Sequence, residues 1–593
     1  MENAHRADAS APDLVSRDRS AARRPLRLAL LIDSFAQPRW VDSVLVQLQQ
    51  LPGIEINLVV VNDGSAGTSG KPPAARRTLA TRIAGWYRNR RHLLFSLYER
   101  IDRARFGASD DPLTLVDVEP RLTAVPRLVV QPRQTRHCDY FPDDAIEALR
   151  GFDLDVAVRL GFRILKGDVL TVPRFGVWSY HHGDNRVYRG GPPAFWEVMD
   201  GADATGAILQ VLTERLDDGV VLDRTLVATE KLSVTKNRAK LYWKAASLLP
   251  RTLQRLQVVD LPAIVASVTA SDSAWMAYSR PLYTAPNNSP MARMAGRLVA
   301  RYAAAKWRSL TTVEQWFLCF RFDAQSSNSG AIPQRALYNF RPLFPPSDRY
   351  WADPFPIQHD GRFYVFAEEV VRRESKGRIV VIELAANGTV KGPTPVLERP
   401  YHLSYPFVFA WNSEYYMIPE SRANRTVELY KATRFPFDWQ FERNLLTDVR
   451  AVDATLAQIG ELWWMFANVQ GPSEPDGLES WENLHLYYAA SPLGPWTPHR
   501  GNPVKSDVAS ARPAGRLFEW QGHYFRPAQN CSRGYGSSIS INRIETLTPD
   551  EYREREVGHV SPEWMPGLVG VHTVNAEAGL TVVDAKRRLS KWF

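Results

Sequence analysis

Residues 176–219, GVWSYHHGDNRVYRGGPPAFWEVMDGADATGAILQVLTERLDDG, decide the fold of the first half of the chain. An apolar run ends in His181 and His182. A polar loop follows, His182-Gly183-Asp184-Asn185-Arg186, and leads to Tyr188-Arg189-Gly190. A second apolar run, TGAILQVL, leads to Leu216-Asp217-Asp218-Gly219. On a strand, neighbours His181 and His182 point to opposite faces. A histidine beside a carboxylate is held charged or correctly oriented, and can stabilise an oxyanion and relay protons.

Upstream, residues 26–62 read strand, helix, strand: RLALLID, WVDSVLVQLQQL and INLVVVND. This is the opening of a Rossmann-like βαβ unit. A short strand at Leu128-Val129-Val130, a helix in DDAIEALRGF and a strand in LDVAVRLGF continue the alternation, and a helix over 236–257 closes it. The expected organisation is a disordered tail over 1–25, an α/β domain over 26–257, a helical linker over 258–335 and an all-β domain over 336–593.

That last domain carries an internal repeat. Asp353-Pro354-Phe355 leads to GRFYVFAE, ending at Glu368. Tyr405-Pro406-Phe407 leads to SEYYMIPE, ending at Glu420. Asp453-Ala454-Thr455 leads to GELWWMFAN, and Arg512-Pro513-Ala514 to GHYFRPAQ. A degenerate fifth copy runs from His572-Thr573-Val574 through LTVVDAK. Hairpin repeats of this length are the signature of propeller blades, so five blades are expected, with equivalent strand starts converging on a central channel.

Composition bounds the function. The net charge is +9, but residues 71–110 alone carry ten Lys/Arg against three Asp/Glu, so the basicity is local and argues against a nucleic-acid protein. Three cysteines form neither a disulfide framework nor a metal spacing, which fits a reducing cytosol. No secretory leader and no membrane-spanning run is visible, so a cytoplasmic protein is expected. The basic insertion holds a candidate helix over 78–106, with Trp86, Tyr87, Leu94, Leu97, Tyr98 and Ile101 as its apolar face. It reads as a docked amphipathic helix with a solvated basic face; the alternative is contact with an acidic membrane surface or a polyphosphate. The stretch 290–306 poses the same choice and reads as an interdomain helix.

The segment from Asp153 to about Leu256 resembles the catalytic domain of the folate-dependent formyltransferases. The carrying residues are His181, Tyr188-Arg189-Gly190, Thr205-Gly206 and Leu216-Asp217-x-Gly219. The resemblance implies an α/β Rossmann-like fold, N10-formyltetrahydrofolate as co-substrate, and a catalytic set of His181, Asp217 and Ser179. Ser179 stands where the family has asparagine, which implies slower chemistry, a substitute donor or a different reaction. The folate pocket falls by position on Arg159, Leu160, Gly161, Phe162, Glu214, Arg215 and Leu216. The loop bearing His182, Asp184, Asn185, Tyr188 and Arg189 lines the acceptor side, and His182 is the obvious substitute donor if the strand has ended there.

Residues 336–593 resemble the N-terminal region of plant glucosamine inositolphosphorylceramide transferases and, more remotely, arabinanase propellers. The carrying residues are Trp351-Ala352-Asp353-Pro354-Phe355, Pro419-Glu420-Ser421, Val452-Asp453-Ala454-Thr455-Leu456 and Arg512-Pro513-Ala514-Gly515. Asp353, Glu420, Asp453 and Arg512 are candidates to grip a sugar or to tie blades together. The expected function is formyl transfer to an amine of an amino sugar, nucleotide sugar or glycan. Glycoside hydrolysis at the propeller and a non-catalytic carbohydrate-binding scaffold are the alternatives.

Overall fold

The computed structural model describes residues 24–63, 90–215, 219–271, 282–322, 339–471 and 474–591. The first half is built on a seven-stranded, mostly parallel sheet, with a two-stranded and a three-stranded sheet beside it. Its elements are β1 (Leu26–Ile32), helix α1 (Arg39–Gln50), β2 (Ile54–Asn62), helix α2 (Leu93–Phe106), β3 (Arg127–Val130), β4 (Val156–Arg159), β5 (Val177–His181), β6 (Ala204–Val211) and β7 (Val220–Ala228). The order across the sheet is β7-β6-β5-β4-β1-β2-β3. The pairs β5-β6 and β6-β7 are antiparallel. Both faces are covered, as the continuous apolar strands require. One face packs Trp178, Tyr180 and Leu209 against α1 and helix α3 (Val234–Ala245). The other packs Ala157 and Val177 against residues 141–149.

The helical reading of the basic insertion places the wrong side chains inside. Residues 78–89 lie outside the described set, but α2 is present. It buries Phe95 and Asp102, while Leu94, Leu97 and Ile101 are exposed. The reason is Asp102. Its carboxylate accepts from Ser233 Oγ at 3.1 Å and from Thr235 N at 2.7 Å, so it turns inward to hold the start of α3. Helix α4 (Asn288–Thr311) packs beside α2, with Met291 and Met294 in the same cluster as Phe95.

Among the described residues from Thr312 onward, five antiparallel sheets follow one another, and their inner strands touch in sequence. The expected helical linker ends at Thr311, where β8 (Thr312–Phe322) begins. Strand β8 pairs along its whole length with the last strand, β13 (Leu580–Ser590), so the two ends of the all-β region close one sheet. The inner strands β9 (Arg349–His359), β10 (Ser404–Trp411) and β11 (Ala451–Ile459) each slip register at the repeat start. There Asp353, Tyr405 and Asp453 adopt left-handed backbone, φ +52°, +42° and +56°. Three equivalent non-glycine residues in this costly region mark a repeated, deliberate kink. The inner strand of the fourth sheet is β12 (Arg512–Pro513).

The two halves are joined along β7 and α3. Val508 N donates to Leu226 O at 3.0 Å, and the Thr225 and Ser506 hydroxyls lie 2.7 Å apart. Lys244 on α3 is fully buried between Glu474 and Glu482.

Candidate active site

The C-terminal edge of the parallel strands gathers most of the expected formyltransferase residues. Arg159, Ser179 and Gln210 sit opposite one another on β4, β5 and β6. Side chains on opposed positions share a face, and positions two apart along a strand do too. Ser179, His181, Arg159 and Gln210 therefore project to one side, and Trp178, Tyr180 and Leu209 to the other. Leu216 and Asp217 lie outside the described residues.

Ser179 is already engaged. Its Oγ accepts from Arg159 Nε at 3.1 Å and donates its single proton to Tyr180 O at 3.2 Å. A hydroxyl has one donor, so Ser179 has none left to offer an oxyanion. The charged donor next to it is Arg159, which also donates to Arg163 O at 2.8 Å.

His182 does not stand in for the missing asparagine. Its ring stacks on Tyr242 at 3.7 Å and meets Trp40 edge-on at 5.2 Å, inside the aromatic core. Burial, reinforced by His181, pushes its pKa down to about 3. His181 lies on the opposite face, with Gly183 tight against it: a Cβ on Gly183 would lie 3.0 Å from His181 Nε2.

Sequence reasoning missed Gln210, which reads as one polar letter in an apolar run. It is buried, and its Oε1 has no hydrogen-bond partner among the described residues. It sits where the β6-β7 register slips, a bulge of the kind that re-aims a side chain. The only signal available was a polar residue at strand spacing opposite Ser179.

Other expected residues serve the loops themselves. Burial opposes ionisation of Asp184, but bonds to Arg186 at 2.7 Å and proximity to Arg224 outweigh it and hold the carboxyl below its usual range. Asn185 O accepts from Arg189 Nε at 2.8 Å, and Tyr188 OH donates to Asp200 at 3.1 Å. Residue Tyr283 straps this loop, donating to Arg189 O at 2.8 Å and accepting from Gly191 N at 3.0 Å. Leu160 N and Gly161 N both donate to Leu31 O, and Phe162 N to Asp33 Oδ1 at 2.8 Å. Glu214 binds Gly167 N at 2.8 Å, and Arg215 N closes a turn on Thr213 Oγ1 at 3.3 Å. The family landmarks Gly190, Gly206 and Gly219 mark close crossings: an added Cβ would lie 2.3 Å from Tyr283 O, 2.9 Å from Asp184 Cβ and 2.5 Å from Val211 O. A cavity of about 370 Å³ lies below the loop, between Asp184, Tyr188, Ala204 and Leu226, next to the junction with the all-β half.

The expected sugar-binding residues converge where the inner strands meet. Asp453 accepts from Arg512 Nε and from Gln529 Nε2 at 2.9 Å. Asp353 accepts from Thr573 Oγ1 at 2.7 Å and Tyr405 N at 3.3 Å, while its own N donates to Asp584 at 2.9 Å. Tyr405 OH meets Thr455 Oγ1 at 2.8 Å, and Val574 N donates to Ala514 O at 2.9 Å. Each bond joins one sheet to the next, and together they close a ring. Glu420 stands apart, 3.8 Å from Arg512 and without a shorter partner among the described residues. Burial and Asp453 raise its pKa to about 8. Burial and Glu368 raise that of Asp353 to about 7, against the pull of His572. His402, missed in the sequence, pairs with Glu368 at 3.0 Å and is half-exposed.

Comparison with known proteins divides the chain the same way. The family model for the N-terminal region of glucosamine inositolphosphorylceramide transferase 1 matches residues 344–567. A relative of that name in Oryza sativa subsp. japonica is 38% identical over 206 residues, 34% of this chain and 27% of the relative. The N-terminal region is similar to methionyl-tRNA formyltransferases, for example 31% identical over 121 residues to that of Prochlorococcus marinus (strain MIT 9312), 18% of this chain and 36% of the relative. The chain thus spans about a quarter to a third of the length of these relatives. A family 117 glycoside hydrolase of Zobellia galactanivorans superposes on 46% of this chain and 90% of its own, at 12% identity and TM-score 0.30, too loosely to carry an argument. The chain is therefore formyltransferase-like in its α/β half. In its all-β half it resembles the plant glucosamine inositolphosphorylceramide transferases.

Proposed function

We propose that this chain moves a formyl group from N10-formyltetrahydrofolate to an amine on a sugar, and that its five sheets are the blades of a propeller that binds the carbohydrate acceptor. The observation that carries the reading is the grouping of His181 with the donors Arg159 and Gln210 on one face of the strand ends, opposite the face that packs Trp178 and Tyr180. Bound formyl donor supplies an electrophilic one-carbon carbonyl. As the amine bonds to that carbon and the bond to the donor nitrogen breaks, His181 takes the amine proton and returns it to the leaving nitrogen. Arg159 and Gln210 offer N–H groups to the oxygen that gains charge, replacing the amide lost at Ser179. Gln210 Oε1, buried and without a partner among the described residues, also fits a ligand N–H. Asp217, in the family's position, would orient His181. The 370 Å³ cavity favours an acceptor reaching from the polar loop toward the propeller. Its polar rim suits a hydroxyl-rich amine such as an amino sugar, a nucleotide sugar or a glycan.

The test is direct. The protein incubated with N10-formyltetrahydrofolate and a panel of amino sugars should release tetrahydrofolate. His181→Ala should lower that rate by about 10³-fold. Absence of folate binding by calorimetry would sink the proposal.

A hydrolase reading of the propeller draws on Glu420, held protonated and partly open, as an acid. Its two aspartate candidates for a base are engaged: Asp453 is occupied by Arg512 and Gln529, and Asp353 by Thr573 and Tyr405. Reducing-sugar release lost in Glu420→Gln would restore it.

A further inference from the structure

Helices α2 and α4 lie side by side on the cluster around Phe95 and Phe195. They run the same way: Leu94 N donates to Asn288 Oδ1 at 3.0 Å near both starts, and Arg105 donates to Tyr302 OH at 3.0 Å further along. Arg301 fastens α4, with bonds to Val198 O and Met199 O at 2.6 and 2.7 Å. What the two helices turn outward is unlike a solvated face. On α2 it is Leu97, 53% exposed, and Ile101, 57%; on α4 it is Val299, 68%, Trp307, 69%, and Leu310, 55%. Val299, Tyr302, Lys306 and Leu310 follow one another at three- and four-residue spacing, so they form one stripe along α4. Monomeric proteins rarely expose apolar side chains in such a row without a use.

The charge of α4 has one sign. The helix contains no Asp or Glu; Arg301 is turned inward, Lys306 lies within the stripe, and Arg293, Arg297 and Arg308 are exposed elsewhere on the helix. On α2 the two acids are committed inward, Asp102 to the start of α3 and Glu99 to Arg238 at 3.0 Å. A protein partner's core would accept Val299, Tyr302 and Leu310 but not Lys306 among them or the unbalanced arginines of the same helix. A bilayer with anionic headgroups accepts both, with leucine and tryptophan entering the headgroup boundary and Lys/Arg reaching phosphate.

We infer that the outward face of α2 and α4 docks the protein on an anionic membrane surface, lying in the interface plane without crossing it. Among the described residues no helix is long and apolar enough to span a bilayer, so the contact is peripheral. Docking would hold the active-site loop, strapped by Tyr283 just before α4, close to lipid-borne acceptors.

The full chain should co-float with vesicles of phosphatidylcholine and phosphatidylserine, float little with phosphatidylcholine alone, and be released by high salt. Lys306→Ala/Arg308→Ala should weaken partitioning about thirtyfold. Trp307→Ala/Leu310→Ala should abolish flotation. All four side chains are exposed, so unfolding midpoints should match wild type, which separates lost docking from lost fold. Three results would overturn the inference: no flotation of wild type, equal flotation on both vesicles, or a solution dimer that the Trp307 variant dissolves, meaning that a second copy covers this face. None of these depends on formyl transfer.

Discussion

Two clusters of polar side chains carry this molecule, and they differ in how fully those side chains are satisfied. In the ring at the centre of the all-β half, Asp453, Asp353, Tyr405 and Thr455 each bond to a neighbouring sheet. At the edge of the α/β sheet, Gln210 Oε1 and Asn185 Oδ1 are buried with no partner among the described residues. Buried polar groups are normally satisfied, and exceptions mark sites that await a ligand or water. The residues that recur in the sequence, and so look most like chemistry, are chiefly ties between sheets. Glu420 and the half-exposed His402, paired with Glu368, are less tightly tied than the rest of the ring.

Breaking the ring should have the largest effect. Asp453→Ala leaves Arg512 and Gln529 buried without their acceptor and should cost about 3–5 kcal/mol, read by chemical denaturation. If it unfolds no more easily than wild type, the ring is not structural. At the other cluster, Gln210→Met keeps volume but removes the amide. It should lower the formyl-transfer rate about a hundredfold while leaving the unfolding midpoint unchanged. Adding Ser179→Asn to that variant returns an amide to the family's position and should recover part of the rate.

Glu420 sharpens the contrast through pH. Its folded pKa, about 8, lies above the ordinary value of 4.5, so the native state holds a proton that the unfolded chain gives up first. Its contribution is complete below the ordinary value and is lost as pH rises through about 8. Stability should therefore fall across that window, by at most about 1.4 kcal/mol per pH unit, and Glu420→Gln should flatten the slope in thermal melts. The smallest effect is expected at Gly183→Ala. Its methyl must push His181 or the Tyr188 carbonyl aside, lowering the transfer rate a few-fold with about 1 kcal/mol or less of stability lost.

Much of this was legible in the sequence. Apolar runs located the parallel strands of the α/β sheet but not the antiparallel pair β6 and β7, and the repeat predicted the equivalent starts at Asp353, Tyr405 and Asp453. Alternation also placed His181 and His182 on opposite faces. Strand β8 was not legible: TVEQWFLCFRF sits after a helix, and its partner lies at the far end of the chain. Nor was the inward face of α2, because Asp102 outranks Leu97 and Ile101 only through Ser233 and Thr235, far along the chain.

By itself, then, the sequence located the elements whose pattern is local and the faces of His181 and His182, because those follow from local spacing; β8 needed its partner at the far end of the chain. Which polar atoms remain available was decided by tertiary structure alone. A hydrogen bond is satisfied by whatever packs opposite, and here those partners come from other strands and other sheets. Thus Ser179 is occupied by Arg159, Asp453 by Arg512, and Gln210 Oε1 by nothing among the described residues.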